Sequence, residues 1–254
     1  LFLTLVISPL TTAAIISSFD ADTTLTVSAD FDITDLATFF DDSALTSAGT
    51  GTGSLAGSGD DLFDLLIGDN TLLSAFADGN VIGSPGSVDG YYLSSAEFYF
   101  ENTGTADFTG SLTFDYALFA TIFTASIDEA ALAFSSLVIG FERFNNEGDT
   151  LTDAILIDQV IEFDSSLNGV GPFSDTITNV ATSTFTIGVD ESILYYFELD
   201  AAGFADTSRV TTVSEPTTLA IFAMAIMCFG IRQYSNNGHS PLPVKTGYTN
   251  NYIG

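Results

Sequence analysis

The 254-residue sequence predicts an all-β protein whose main domain is an antiparallel β-sandwich of the jelly-roll kind. Three observations lead to this prediction. Apolar residues recur at every second position in several segments, which is the periodicity of a half-buried strand. Val, Ile, Thr, Phe and Tyr dominate these segments, as strands prefer. Turn-forming residues separate the segments at short intervals.

The alternation is clear in four segments, and each predicts a strand with one buried face. Their apolar positions are, in chain order, Leu25, Val27, Ala29, Phe31 and Ile33; Ile155, Ile157, Ile161 and Phe163; Phe185, Ile187 and Val189; and Ile193, Tyr195, Phe197 and Leu199. The apolar run 112–141 is broken at residues 126–130 and predicts a hairpin of two long central strands. Residues 61–76 are compatible with one or two helical turns, interrupted at Gly68 and Asn70.

Stretches of small and turn-forming residues are predicted to connect these strands. The longest is TSAGTGTGSLAGSGD, residues 46–60, which we interpret as a loop within one domain. Shorter turns are predicted at residues 78–80, 84–86, 89–90, 102–104 and 168–169.

The charge and the scarce reactive residues exclude several classes of function. The chain has 33 Asp and Glu against 4 Lys and Arg, a formal net charge of -29. Nucleic acid is excluded as a partner because phosphate binding needs clustered cations. The chain has one Cys, Cys228, and one His, His239, and both lie C-terminal to the acidic domain. No nucleophilic site of the Cys–His or Ser–His kind can be built in that domain, so the sequence predicts a protein that is not an enzyme.

The chain begins and ends with segments that differ from the acidic middle, which we place at residues 19–212. Residues 1–10 read LFLTLVISPL, and Thr12 and Ala14 suit the -3 and -1 positions of a signal-peptidase site. Residues 1–18 are therefore interpreted as a signal peptide that lacks its first residues, with an apolar first strand as the alternative. Residues 219–231 are uninterrupted apolar residues closed by Arg232, which predicts a membrane helix. Residues 233–254 are predicted to be a disordered tail.

The segment 213–232 resembles the PEP-CTERM sorting signal of exported bacterial proteins. The resemblance lies in a short motif, a hydrophobic helix and a basic end, formed by Val213, Ser214, Glu215, Pro216, Thr217, Thr218 and Arg232. Two features depart from the family pattern, because Ser214 replaces the usual first Pro and a single Arg closes the helix. An ordinary C-terminal membrane anchor is the alternative interpretation.

The resemblance implies a route for the protein rather than a task. Signal peptidase and an exosortase would process the chain, and the C-terminal helix would hold it transiently in the inner membrane of a Gram-negative-type bacterium. The product would be a non-enzymatic protein of the cell surface or of the extracellular, exopolysaccharide-rich matrix. The family's middle regions vary widely, so the role of the acidic domain stays open.

Calcium is the one candidate cofactor that the sequence suggests. Hard oxygen ligands cluster in the first third of the domain, at Asp41, Asp42, Asp60, Asp61 and Asp64. Ca²⁺ takes six to eight such oxygens, and loops near these residues would add backbone carbonyls. No EF-hand loop is present, so a solvated acidic face is the alternative interpretation.

Two tyrosine pairs, Tyr91–Tyr92 and Tyr195–Tyr196, suggest carbohydrate binding. Neighbours in a strand face opposite sides, so only one tyrosine of each pair can join a sugar-binding surface, and core packing is the competing interpretation. The alternative function is therefore a calcium-dependent carbohydrate-binding module on the same scaffold. A third is a carboxylate-based glycan-active enzyme, for which the sequence singles out no acidic pair.

Overall fold

A computed structural model of the chain describes residues 15–32, 37–58 and 70–207, all within one compact unit, residues 1–210. This part is almost entirely antiparallel β-structure, which confirms the all-β prediction. The elements are β1 (Ile16–Ala29), β2 (Ala37–Ser58), β3 (Asn70–Glu101), β4 (Phe108–Thr124), β5 (Ala130–Phe144), β6 (Thr150–Asp164), α1 (Ser165–Asn168), β7 (Gly171–Ile187) and β8 (Ser192–Asp206).

The strands form a single sheet that folds back on itself into a nearly closed, sandwich-like structure. Their order is β6-β5-β8-β3-β1-β4-β7, and β2 pairs with β3. The long strand β3 pairs with β1 through residues 70–82 and with β8 through residues 87–101. The β2–β3 ribbon therefore belongs to both halves of the sheet. We call the half with β1, β4 and β7 the first layer and the half with β5, β6 and β8 the second layer.

The core lies between the two layers and is built from alternate residues of each strand. Phe114 of β4 packs against Phe197 of β8, with ring centroids 5.9 Å apart. Polar contacts also cross the core: Thr23 of β1 donates to the carbonyl oxygen of Asp200 at 2.9 Å and lies 2.6 Å from the hydroxyl of Ser135. These contacts join β1 to β5 and β8, so the two layers face each other.

The strand pattern of the sequence is confirmed in most segments. Leu25 and Val27 in β1 and Phe197 and Leu199 in β8 are all at most 1% exposed. Ile155 is a correction, because it is 60% exposed and does not share a face with Ile157. The cause is a register shift in β6 opposite the step from Ile139 to Gly140, which places residues on either side of it on opposite faces. Val189 lies beyond the end of β7 and is exposed.

The prediction of a hairpin over residues 112–141 is wrong. The run does contain two strands, β4 and β5, with a break between them. However, β4 pairs with β1 and β7, whereas β5 pairs with β6 and β8, so the two strands lie in different layers. The connection crosses between layers, and the carboxylate of Glu129 stabilises it by accepting hydrogen bonds from the backbone N–H groups of Ile16, Ala125 and Ser126.

The prediction of a loop over residues 46–60 is also wrong for most of its length, because residues 46–58 belong to β2. The predicted turns at 78–80 and 89–90 lie inside β3, and so do residues 70–76 of the segment compatible with helical turns, whose residues 61–69 lie outside the described residues. Glycines in β2 allow it to approach β3 closely, because a methyl group on Gly51 would overlap the backbone of Ser87. The predicted turn at 84–86 coincides with the fold between the layers, where Gly83 has a φ of 94°. The turns at 102–104 and 168–169 lie outside the strands, as expected.

The predicted signal segment reaches into the described part of the chain, and the sorting signal lies outside it. β1 begins at Ile16, so three residues of the segment 1–18 belong to the sheet, and cleavage after Ala14 would leave β1 complete. The motif 213–218, the helix to Arg232 and the tail lie beyond the described residues. Across the described ranges, the structure contains no helix of the length and apolarity needed to span a membrane.

Candidate functional site

The outer face of the second layer carries exposed aromatic side chains among carboxylates. Phe40 on β2 is 58% exposed and Tyr99 on β3 is 37% exposed. Tyr196 on β8 also points outward, since its neighbours Tyr195 and Phe197 are buried in the core. Exposed aromatic rings that are grouped on one face can mark a binding surface, which makes this face the first candidate for a site.

A groove of about 340 Å³ lies between Phe40 and Tyr196. Its lining also includes Ser95, Ala96, Glu97, Phe197 and Glu198. The register of the strands explains the arrangement: Ser95 stands between Phe40 and Glu198, and Glu97 stands beside Tyr196. Carboxylates and aromatic rings therefore alternate over neighbouring strands. We call this feature the aromatic groove.

The ring of Tyr196 lies over a glycine on the neighbouring strand, in space that a side chain there would fill. Gly140 on β5 is its direct partner, and a methyl group there would overlap the far end of the Tyr196 ring. Burial raises the pKa of the Tyr196 hydroxyl, and the negative charges of Asp153 and Glu142 raise it further. The hydroxyl therefore stays protonated and is available as a donor.

A second cavity, of about 300 Å³, continues along the same strands. It is lined by Tyr99, Glu101, Phe144, Asn145, Asn146, Gly148, Asp190 and Ser192. Glu101 pairs with Ser192, which lies six residues before Glu198 on β8. At about 3.4 Å per residue the two cavities span about 20 Å of one face. Such a surface fits an extended, chain-like ligand better than a compact one.

An ion pair is formed by residues adjacent in the chain to Phe144, Asp190 and Ser192, which line the second cavity. The Arg143 guanidinium donates to the Glu191 carboxylate at 2.8 Å, and the backbone N–H of Gly188 donates to the same carboxylate at 2.8 Å. The hydrogen bonds from Gly188 and Arg143 lower the pKa of Glu191, and the charge of Arg143 adds to this effect. The pair thus connects β5 to the turn that precedes β8.

The predicted calcium ligands are only partly within the described residues, and those present do not converge. Asp41 and Asp42 are adjacent in β2, so they face opposite sides of the strand. The Tyr91 hydroxyl donates to Asp42 at 3.1 Å, and the Tyr92 hydroxyl donates to Asp41. Burial is the main reason that the pKa of Tyr92 is raised to about 12, and the bond to Asp41 adds to it.

The remaining predicted ligands, Asp60, Asp61 and Asp64, lie outside the described residues. Within the described ranges, the His, Cys, Asp and Glu side chains form no group of three or more suited to a metal ion. A bound calcium ion stays a prediction that depends on the segment 59–69.

The tyrosine pairs divide as the strand geometry predicts. Tyr91 is 39% exposed and Tyr196 faces outward, whereas Tyr195 is 2% exposed and lies 3.0 Å from the Ser183 hydroxyl in the core. Four residues of this face were not predicted from the sequence: Phe40, Tyr99, Glu97 and Glu198. Parity along β3 was the available signal for two of them, because Tyr91, Glu97 and Tyr99 all fall on one side of the strand.

Comparison with known proteins adds little to this description. No family model matches the chain, and no curated protein matches it. Among solved structures, the chain is distantly similar to the carbohydrate-binding module TmCBM61, which was solved in complex with β-1,4-galactotriose. The two share 13% identity over 45% of this chain and 67% of that one, with a TM-score of 0.09. A score this low says nothing about fold or ligand.

Proposed function

We propose that this protein is an exported, non-enzymatic glycan-binding component of a bacterial cell surface or extracellular matrix. The observation that supports the binding role is the aromatic groove. Aromatic rings pack against the apolar faces of sugar rings, and exposed carboxylates accept hydrogen bonds from sugar hydroxyls. The groove offers both, in alternation, along an open path of about 20 Å.

The exposure of the groove favours binding over hydrolysis. A glycan-active enzyme needs a carboxyl group kept protonated in a desolvated pocket, close to a second carboxylate. Glu97 and Glu198 are both exposed on an open sheet face. The proposal of a non-enzymatic role is supported by this difference in burial and by the lack of a Cys or His in the predicted mature domain.

Binding is tested by isothermal titration of the full chain, kept in solution with a mild non-ionic detergent, against a panel of glycan oligomers. Tyr196→Ala and Phe40→Ala each remove one wall of the aromatic groove, and a loss of about 1–2 kcal/mol would weaken binding roughly 5–30-fold. Tyr91→Ala is the matched control, since Tyr91 is an exposed tyrosine on the same strand face outside the groove. Equal affinities of all three variants and the parent would refute the assignment of the groove.

The exported location is supported by the PEP-CTERM-like motif around Glu215 and Pro216 and by the apolar run that follows it. Its test is the intact mass of the protein recovered from the native cell surface and culture medium. A chain that ends near Ser214 supports exosortase processing. A chain that still carries residues 215–254 contradicts it and indicates a simple membrane anchor.

Calcium dependence is tested with the same titration. Loss of glycan binding in a chelator, with recovery in Ca²⁺ but not in equal Mg²⁺, would identify the calcium-dependent version of this function. Unchanged glycan affinity in the presence of the chelator would mean that the aromatic groove binds the glycan without calcium.

A further inference from the structure

Three strands have a neighbour on one side only, and they differ in how well the open side is protected. Among residues 15–32, 37–58 and 70–207, β2 pairs with β3 alone, β6 with β5 alone and β7 with β4 alone. The open side of an edge strand presents backbone N–H and C=O groups to which a strand of another chain can bind. Bulges and charged side chains on the edge strand oppose such pairing.

Two of the three edges carry these protective features. β2 shifts its register between Gly49 and Gly51 and contains the adjacent carboxylates of Asp41 and Asp42. β6 shifts its register twice against β5. The carboxylates of β6 are Asp153, Asp158, Glu162 and Asp164. Both strands are therefore poor partners for a further strand.

The third edge, β7, lacks both features over most of its length. All 17 of its residues pair with β4 in one unbroken register. Its one charged residue is Asp175, so residues 176–187, TITNVATSTFTI, are uncharged. β-Branched residues dominate this segment and favour an extended strand. We call residues 176–187 the neutral edge.

The neutral edge is exposed and is held in an extended form. Val180 is 59% exposed, and the threonines at positions 176, 178, 182, 184 and 186 are exposed as well. The hydroxyl of Thr182 lies 3.2 Å from that of Thr113 on β4, and the hydroxyls of Thr186 and Thr109 lie 2.9 Å apart. A strand that is already fixed in this way loses little conformational freedom when another strand pairs with it.

We propose that the neutral edge is the contact between two copies of this chain, which pair their β7 strands antiparallel about a twofold axis near Thr182. Such a contact uses the same segment of both copies, and it closes at two. Thr182 then stands opposite Thr182 of the second copy, and Val180 stands opposite Thr184 of that copy. Cross-strand pairs of threonine and β-branched residues stabilise a sheet. A second copy also supplies an open edge of equal length, so both edges are paired at once.

Charge favours this edge for self-association. The chain has a formal net charge of -29, so two copies repel each other unless their contact is far from the charges. With the axis at Thr182, the two Asp175 carboxylates lie about 48 Å apart along the paired strands. Asp115 on β4 is the partner of Val180, and the two Asp115 residues are separated by three strand spacings, at least about 14 Å. Both separations exceed the Debye length of about 8 Å at physiological ionic strength.

The inference does not depend on the proposed function, because β7 lies in the first layer and the aromatic groove lies on the second. Its first test is sedimentation equilibrium of the full chain over a range of concentrations, in a density-matched non-ionic detergent. The double variant Val180→Lys and Thr182→Lys places like charges across the twofold axis. We expect its dissociation constant to be at least about tenfold higher than that of the parent.

The matched control is the double variant Thr152→Lys and Val160→Lys on β6. It makes the same two replacements at exposed positions of another edge strand, and Val160 is 52% exposed. Its dissociation constant should equal that of the parent or fall slightly, since the net charge changes equally in both double variants. Circular dichroism and thermal melting check that both variants fold.

Amide hydrogen exchange of the unaltered chain tests the same contact without a substitution. Exchange within residues 176–187 should slow as the protein concentration rises through the dissociation constant, whereas exchange within residues 150–164 should not change. A parent that stays monomeric, or equal dissociation constants for the two double variants, would overturn the inference. Protection of residues 176–187 at every concentration would mean that a segment of the same chain covers β7, and it would overturn the inference too.

Discussion

Replacing Gly140 by alanine separates the binding role of Tyr196 from its contribution to folding. The new methyl group would occupy the space that the end of the Tyr196 ring now fills. The ring is the far end of a flexible side chain on an open face, so it can swing away without moving the backbone. Gly140 also has no positive φ that an alanine would strain. The variant should fold normally and present a displaced aromatic wall.

The expected magnitudes differ for stability and for binding. Alanine is favoured over glycine in a strand by about 0.5–1 kcal/mol, which offsets part of the packing that the displaced ring loses. The net change in the free energy of unfolding should therefore stay within about 1 kcal/mol. Binding should weaken roughly 5–30-fold, as for Tyr196→Ala, because the ring no longer lines the aromatic groove.

Thermal melting and glycan titration of the same samples measure the two effects, and Gly57→Ala is a matched control. A methyl group on Gly57 would overlap the ring of Tyr92, but this tyrosine faces the interior, away from the groove. The control should lose about 1–3 kcal/mol of stability and keep its affinity. Parent-like affinity in Gly140→Ala would show that the position of the Tyr196 ring does not matter for binding.

Four further predictions concern stability. Burial, followed by the charges of Asp78 and Asp22, raises the pKa of Asp20. Ionisation of Asp20 therefore opposes folding at pH values above the unfolded pKa. In urea unfolding, Asp20→Asn should raise the free energy of unfolding by a few tenths to about 1 kcal/mol at pH 7 and leave it unchanged at low pH. Hydrogen bonds from Ser111 lower the pKa of Asp30, so Asp30→Asn should lower stability at pH 7, with a difference from the parent that disappears as the pH falls through the lowered pKa. Leu137→Ala should cost about 2–5 kcal/mol in the same assay, because the side chain is fully buried. The Tm should rise from low to seawater-like salt, because screening relieves the repulsion of the acidic domain; a flat or falling Tm would contradict this.

The sequence predicted the strands better than it predicted their partners. The alternation of apolar and polar residues depends only on neighbours in the chain. It therefore identified the buried faces of β1 and β8 correctly, for example at Leu25 and at Leu199. Pairing depends on residues far apart in sequence. Nothing local could show that β4 and β5 lie in different layers, or that the glycines of residues 46–58 belong to a strand.

The candidate site was predictable only in part, for the same reason. Strand parity correctly placed one tyrosine of each pair outside. The groove itself needs Phe40, Glu97 and Tyr196 to meet, and these come from three strands separated by up to 156 positions in the chain. The bulge near Gly140 likewise depends on its tertiary partner, so the exposure of Ile155 could not be read from the sequence.

The position of β8 between β3 and β5 sets the order in which the protein can be completed. The second half of β3 has β2 on one side but waits for residues 192–206 on the other. Among the described strands, the last one to be synthesised is thus the one that joins the second layer together. Until it arrives, the edges of β3 and β5 stay open, and this long-range closure makes folding slow. A chain of this topology therefore cannot complete its second layer before residues 192–206 have been made.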